Sequence, residues 1–191
     1  MACGITAITK NVTNCSKGGI IRALGNSCAN VTDFTIDADG IITAFTLANA
    51  AFANLAFEGD DSAFYNSTGS RTGDNIVYDQ ESLVRFNGHS NDKMKAVDTA
   101  AQCCCAVFVY ELEDGTIEIQ GIDFPKDLGA GTYNTVDYLP KQNAKVTPSI
   151  LSDVGGQETG SRVEYSITSQ ARYSPATTSL TMTAIAALAP A

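Results

Sequence analysis

Two stretches of the chain alternate apolar and polar side chains on both sides of an Asp-Gly dipeptide, residues 110–121 and residues 33–48. An alternation with a period of two is typical of β-strands, because successive side chains point to opposite faces. Asp-Gly between two such runs favours the tight turn of a β-hairpin. The sequence therefore predicts a mainly β protein, a sandwich or barrel built from antiparallel hairpins.

The first hairpin concentrates carboxylates if its turn contains only Asp114 and Gly115. That turn pairs Glu111 with Glu118, although like charges directly across a ladder are unfavourable. A face of this kind requires an explanation. The predicted apolar face holds Phe108, Tyr110, Leu112, Ile117 and Ile119, and the predicted wet face holds Glu111, Glu113, Thr116, Glu118 and Gln120.

The second hairpin follows the same pattern around Asp39-Gly40. Pairing outward from a two-residue turn again separates an apolar face from a mostly polar one. The first is predicted to hold Phe34, Ile36, Ala38, Ile41, Thr43 and Phe45, and the second Asp33, Thr35, Asp37, Ile42, Ala44 and Thr46.

Length and charge limit the classes of protein that fit. A chain of 191 residues with 44% hydrophobic content is enough for one substantial domain, and we expect residues 1–191 to form a single one. The formal net charge is -9 and the pI is about 4.4. Such an acidic chain is not expected to bind nucleic acid by neutralising phosphates, which requires a basic surface.

Other segments have weaker signals. Residues 91–102 are predicted to be a helix, capped by Ser90 or Asn91, with Met94, Val97 and Ala101 as its apolar stripe. Residues 59–74 are rich in Gly, Ser, Asp and Asn, and are interpreted as the loop at the tip of a long hairpin arm. The alternating run at 162–173 predicts one more strand. The apolar segment 175–191 is expected to pack against the body or against a neighbouring subunit.

The six cysteines are expected to be reduced thiols. The first residues lack the basic start and apolar core of a secretory signal, so the chain is expected to be made and kept in a cytoplasm. Cys103, Cys104 and Cys105 are consecutive, whereas zinc sites use pairs separated by two to four residues. Small buried side chains are the simpler interpretation.

Enzymatic interpretations find little support, and the chain is predicted to have no catalytic residues, cofactor or metal. His89, the one histidine, lies in a Gly/Asn turn and is interpreted as a solvated loop residue. Glu111 and Glu118 would be an acid/base pair for glycoside hydrolysis only within a pocket that offers aromatic platforms, and their predicted face has none. Asp37 begins a calcium-loop-like "DADG", but the glutamate that such a loop needs is missing.

Taken in order, the elements resemble the tail tube proteins of long-tailed bacteriophages, particularly those from phages of Bacteroidetes-like hosts. The resemblance rests on "CSKGGIIRALGN" near the start, on "YELEDGTIEIQGIDF" after the helix, and on "GGQETGSRVEYSITSQARYSPAT" near the end. It spans most of the chain.

The resemblance implies a β-sandwich or barrel with a flanking helix that assembles into stacked, usually hexameric rings around a channel for DNA. It implies a virion location after assembly in the host cytoplasm, with tape measure, tail terminator, and baseplate or sheath proteins as partners and no membrane. A wall of carboxylates would repel phosphates. The candidates for that wall are Glu111, Glu113 and Glu118, or alternatively Asp33 and Asp37.

The resemblance also gives the arm a role, because a hairpin arm would reach a neighbouring subunit or ring. Its candidate contact residues are Asp60, Asp61, Phe64, Tyr65 and Arg71. Sheets continued across subunits would cover edge strands. Two other hypotheses stay open: a phage capsid decoration or head-tail connector protein, and a β-sandwich module that binds carbohydrate or a surface receptor.

Overall fold

The computed structural model describes residues 19–57, 63–72, 75–88, 90–103, 105–123, 144–151, 162–173 and 175–190. Within these ranges the chain is mainly β, as the alternation predicts. The strands are β1 Ile20–Ser27, β2 Val31–Ile36, β3 Ile42–Leu47, β4 Ala53–Asn54, β5 Ala63–Thr72, β6 Asn75–Asn87, β7 Ala106–Leu112, β8 Ile117–Gln120, β9 Lys145–Leu151, β10 Arg162–Ala171 and β11 Ala176–Thr177. The helices are α1 Asn91–Ala101 and α2 Met182–Ala186.

The strands form three antiparallel sheets that stack in layers. A five-stranded sheet has the order β11-β8-β7-β1-β4, a four-stranded sheet the order β5-β6-β10-β9, and β2 pairs with β3 alone. One apolar core lies between the five-stranded and four-stranded sheets, together with α1. A second core lies on the other face of the five-stranded sheet, under the β2–β3 hairpin and α2. This arrangement confirms the predicted β-sandwich with a flanking helix.

Strand β7 shows why the five-stranded sheet is the middle layer. Phe108 and Tyr110 belong to the first core, while the alternate residues Val107 and Val109 belong to the second. All four side chains are fully buried. A strand with both faces covered requires a continuous apolar run, and "AVFVY" provides one.

The predicted register of the 110–121 hairpin is wrong by one residue. Glu111 pairs with Ile117, and Tyr110 pairs with Glu118. Leu112 N–H donates to Thr116 O at 2.9 Å and Gly115 N–H donates to Leu112 O at 2.9 Å, which closes a three-residue loop in place of the predicted two-residue one. Gly115 has φ 83° there, the left-handed conformation that such a loop needs at its last position. The extra loop residue shifts every pair that follows.

The β2–β3 hairpin uses the same three-residue loop, since Asp37 N–H donates to Ile41 O and Gly40 N–H donates to Asp37 O. Phe34 still pairs with Phe45 as predicted, because a register shift between Thr35 and Ile36 compensates the extra residue. Ile42 is fully buried and pairs with Ile36, so its predicted place on the wet face is wrong.

The predicted loop at 59–74 is wrong over most of its length, because residues 63–72 form β5. This strand pairs with β6 without interruption from Ala63–Val84 to Thr72–Asn75. Only the last three pairs of the hairpin extend past the neighbouring strand β10, whose pairing with β6 ends at Tyr78. The hairpin of the predicted arm is therefore mostly an integral part of the four-stranded sheet. Residues 59–62 and 73–74 lie outside the described residues.

Helix α1 begins at the predicted cap, where the Ser90 side chain accepts a hydrogen bond from Lys93 N–H. It packs on β9 and β10 and buries Ala96, Val97 and Ala100. Ala101 is exposed, so its predicted place in the apolar stripe is wrong. The buried face instead includes Ala96 and Ala100 beside the predicted Val97.

The end of the chain lies on the body. Strand β11 extends the five-stranded sheet beside β8, and α2 buries Met182 and Ile185 in the second core. The Thr181 side chain caps α2 by accepting from Ala184 N–H. Strand β10 alternates as predicted, with Val163, Tyr165 and Ile167 fully buried.

A disulfide joins Cys28 to Cys105, with Cα atoms 5.6 Å apart. The two cysteines continue the pairing of β1 with β7 by one step beyond Ser27–Ala106, and Cys28 N–H donates to Cys105 O. The expectation that all cysteines are reduced is therefore wrong for this pair. Their strand ends lie side by side, a proximity that spacing along the chain did not reveal.

Candidate functional site

The predicted carboxylate face does not form, because the one-residue shift places Glu111 and Glu118 on opposite faces of the five-stranded sheet. Glu111 shares a face with Val109 and Ile117. Its carboxylate lies 4.0 Å from the Arg22 guanidinium at a half-exposed position, where an ion pair contributes little. Like charges are thus not opposed across this ladder, and the predicted pairing of Glu111 with Glu118 needs no explanation.

The other predicted wall residues lie elsewhere and have local partners. Asp33 accepts from Phe34 N–H, and Asp37 accepts from the N–H groups of Asp39 and Ile41, which stabilises the hairpin loop. Glu113 is exposed in the β7–β8 loop. The five predicted residues therefore share no single surface, and their role as a channel lining stays a prediction.

Glu118 turns toward the space between the two larger sheets, where it meets Tyr65 of β5. Burial, and next the negative charge of Glu118, raise the pKa of the Tyr65 hydroxyl well above its usual range. The Tyr65 ring also packs at 5.2 Å from that of Tyr110. This glutamate is thus part of the polar interior of the sandwich, and sequence alternation alone did not indicate it.

A buried hydrogen-bond network centred on Gln120 joins the same two sheets. The Gln120 Oε1 atom accepts from Ser82 Oγ at 2.7 Å and from the Tyr110 hydroxyl at 2.8 Å. Its Nε2 atom donates to the carbonyls of Gln80 at 3.1 Å and Ile167 at 3.2 Å. Gln120 is 0% exposed, so these partners replace water. Such a network fixes the sheets relative to each other.

On one face of the four-stranded sheet, the described residues form no apolar core. The other face supplies Val84, Phe86, Val163 and Tyr165 to the first core, so the residues between them point outward. Cross-strand pairing sets the outward residues in rows. This open face holds Phe64, Asn66 and Thr68 of β5, Asp79, Glu81, Leu83 and Arg85 of β6, Arg162, Glu164, Ser166, Thr168 and Gln170 of β10, and Lys145, Thr147 and Ser149 of β9.

The charges on the open face balance. Glu164 accepts at 2.8 Å from Arg85 Nε and lies 2.9 Å from Arg162 Nε. Gln170 Nε2 donates to Asp79 at 2.7 Å. Hydroxyl and amide side chains occupy most of the remaining positions. The arrangement is suited to a hydrated surface that has no excess of positive charge. Its acidic residues are Asp79, Glu81 and Glu164, and its basic residues are Arg85, Arg162 and Lys145.

The structure places the predicted arm residues on both faces of β5. Phe64 lies on the open face and is 42% exposed, while Tyr65 faces the core. Arg71 is exposed near the end of the hairpin, beside Ile76, which is 45% exposed. Asp60 and Asp61 lie outside the described residues. A role for these residues in contacts between subunits stays a prediction.

Among the described residues, no group of three or more His, Cys, Asp or Glu side chains converges as metal ligands would. His89 lies outside them. None of the described helices is long and apolar enough to cross a membrane.

Comparisons of the chain with models of protein families, with curated proteins and with solved structures found no match.

Proposed function

We propose that the chain is a structural protein of a bacteriophage tail, whose copies assemble into stacked rings that form a tube for the passage of DNA. The proposal starts from the three segments that resemble tail tube proteins. A β-sandwich with a flanking helix is the fold that this resemblance implies. The observation that carries the proposal is the open face of the four-stranded sheet, whose described residues are mostly polar and form no apolar core.

The open face has the properties that a DNA channel requires. A basic wall would bind phosphates and slow the passage of the genome. Here the guanidinium groups of Arg85 and Arg162 both contact Glu164, so their charge is already partly compensated. The remaining hydroxyl and amide groups offer neutral, hydrated contacts. The lining is thus assigned to this balanced face, in place of the predicted wall of Glu111, Glu113 and Glu118.

Self-association is consistent with the overall charge if contacts are local. With a net charge of -9, copies repel each other at long range. Screening at physiological salt reduces this repulsion beyond about 8 Å. Assembly is therefore expected to strengthen as salt is raised from low concentrations.

Electron microscopy of the purified protein tests the proposal. Concentrated protein is expected to form rings or open tubes, and a density map should place Thr168 and Gln170 toward the axis. Sedimentation velocity across a range of salt concentrations provides the matching solution measurement. A chain that stays monomeric at every concentration and salt would contradict the proposal, as would a tube with the open face on its outer surface.

A further inference from the structure

The two outer strands of the four-stranded sheet, β5 and β9, differ in how they are protected against pairing with another chain. Over the described residues, β5 pairs only with β6, and β9 only with β10. Natural edge strands are usually short, bulged, or interrupted by proline or lysine. Strand β5 is ten residues long and pairs in unbroken register, and Arg71 is its only charged residue. Within the described residues it has none of this protection.

Strand β9 is protected against a second copy of itself. It contains Lys145 and Pro148. If two β9 strands overlapped fully in antiparallel fashion, Pro148 would stand opposite Pro148, with no N–H group at the centre of the junction. The two lysines would also lie at the ends of a short ladder. Pairing of β9 with a different strand avoids two facing prolines, and the single Pro148 then leaves at most one N–H group missing from the ladder.

The directions of the strands allow β9 of one copy to join β5 of the next. Neighbouring strands in this sheet are antiparallel, and four of them leave β5 and β9 running in opposite directions. If a second copy is related to the first by rotation about an axis parallel to the strands, the β9 strand of the second copy runs antiparallel to the β5 strand of the first. Such a head-to-tail contact repeats and closes into a ring, whereas pairing of identical edges gives only a dimer.

The rows of the sheet also match across this junction. If each row continues into the next copy, Lys145 lies opposite Asn66 and Thr147 lies opposite Phe64 on the open face. On the core face, Pro148 lies opposite Ala63, a small residue. Lys145 then has Glu81 of the next copy one strand further along, and no like charges oppose each other.

We propose that copies of this chain join by addition of β9 to the β5 edge, with Lys145 of one copy opposite Asn66 of the next. The inference rests on the proposed function, because it names the junction within the ring. A shift of two residues along the ladder keeps the faces matched and leaves Lys145 diagonal to Asn66, still within reach of a long side chain. The junction is therefore sensitive to the charge at position 66.

A charge exchange tests this junction. Asn66→Lys sets two lysines against each other and is expected to raise the protein concentration needed for assembly about threefold to fivefold at low salt. Gln170→Lys is the matched control, because Gln170 is exposed on the same face but lies on the central strand β10, where its direct partner on β6 is Asp79. It is expected to leave that concentration within about twofold of the unmodified protein. The double variant Asn66→Lys with Lys145→Glu is expected to restore assembly.

Sedimentation velocity measures assembly, and circular dichroism of each variant below the assembly concentration checks that it is folded. The junction is overturned if folded Asn66→Lys assembles as readily as Gln170→Lys, or if adding Lys145→Glu to Asn66→Lys does not restore assembly. In both cases tubes of the unmodified protein would leave the proposed function intact. If the unmodified protein never assembles, the proposed function and this junction both fail.

Discussion

Replacement of Gln120 by leucine is expected to destabilise the fold far more than a comparable change at the surface. The substitution removes four buried hydrogen bonds, two accepted by Oε1 and two donated by Nε2. At a net value of about 1 kcal/mol each, their loss costs about 4 kcal/mol. The Ser82 and Tyr110 hydroxyls lie 2.6 Å apart, so one of them can donate to the other once Gln120 is gone, whereas the carbonyls of Gln80 and Ile167 lose this donor.

The leucine side chain recovers roughly 1 kcal/mol through apolar burial, so the net loss is about 3 kcal/mol. That is a large part of the stability of an ordinary domain, which is about 5–15 kcal/mol. Urea denaturation followed by far-ultraviolet circular dichroism measures the change in the free energy of unfolding. The slope of this free energy against urea concentration should be the same in both proteins, which checks the two-state analysis. Tryptophan fluorescence is no alternative, since the chain contains no tryptophan.

Gln170→Leu is the matched control for this measurement. Gln170 also donates a side-chain hydrogen bond, to Asp79 at 2.7 Å, but it is exposed on the open face. Its replacement is expected to change the free energy of unfolding by no more than about 0.5 kcal/mol. If Gln120→Leu were as mild as Gln170→Leu, the network would not hold the two sheets together, and the reasoning would be refuted.

Three further predictions concern titration, the disulfide and a hairpin loop. Burial raises the pKa of Tyr65, Tyr110 and Tyr165 above the ordinary value of 10.0. The unfolded chain therefore loses these protons at lower pH than the folded protein, and the free energy of unfolding should fall as pH rises past about 10. Ultraviolet absorbance should show the three tyrosines ionising only as the protein unfolds, and ionisation before unfolding would contradict this. Replacing Cys28 and Cys105 together by serine removes a crosslink between positions 77 residues apart, which should lower the free energy of unfolding by up to about 4 kcal/mol. A melting temperature that neither the variant nor a reductant changes would argue against the crosslink. Gly115→Ala should lower the free energy of unfolding by about 1–2 kcal/mol, because alanine is strained at φ 83°. No steric clash adds to this cost, since an added Cβ meets no atom within 4 Å. An unchanged free energy of unfolding in urea denaturation would exclude the three-residue loop.

The strands were predictable from alternation, but the register of the hairpins was not. Asp-Gly suits both a two-residue and a three-residue loop, and both place glycine in the left-handed region. The two loops differ by one residue, which is enough to move Glu118 from the wet face to the interior. A signal did exist for the middle layer: the run "AVFVY" of β7 is apolar at every position, as a strand covered on both faces requires.

The candidate site was harder to predict than the fold, because it depends on contacts between distant segments. Glu164 lies in the strand that the alternation at 162–173 predicts. Its partner Arg85 is 79 residues away, and only the pairing of β6 with β10 brings the two together. The loop predicted at 59–74 failed for a similar reason. Its polar residues suit a turn locally, while the neighbouring strand β6 holds them in a sheet.

The separation of the two faces of the four-stranded sheet has a consequence for evolution. The side chains that pack the interior and those that meet solvent alternate along the same strands, yet they contact different surroundings. Mutations at Thr168, Gln170 or Thr147 can therefore accumulate without penalty to folding. Selection can adjust the charge and the wettability of this surface while the architecture beneath it is inherited unchanged.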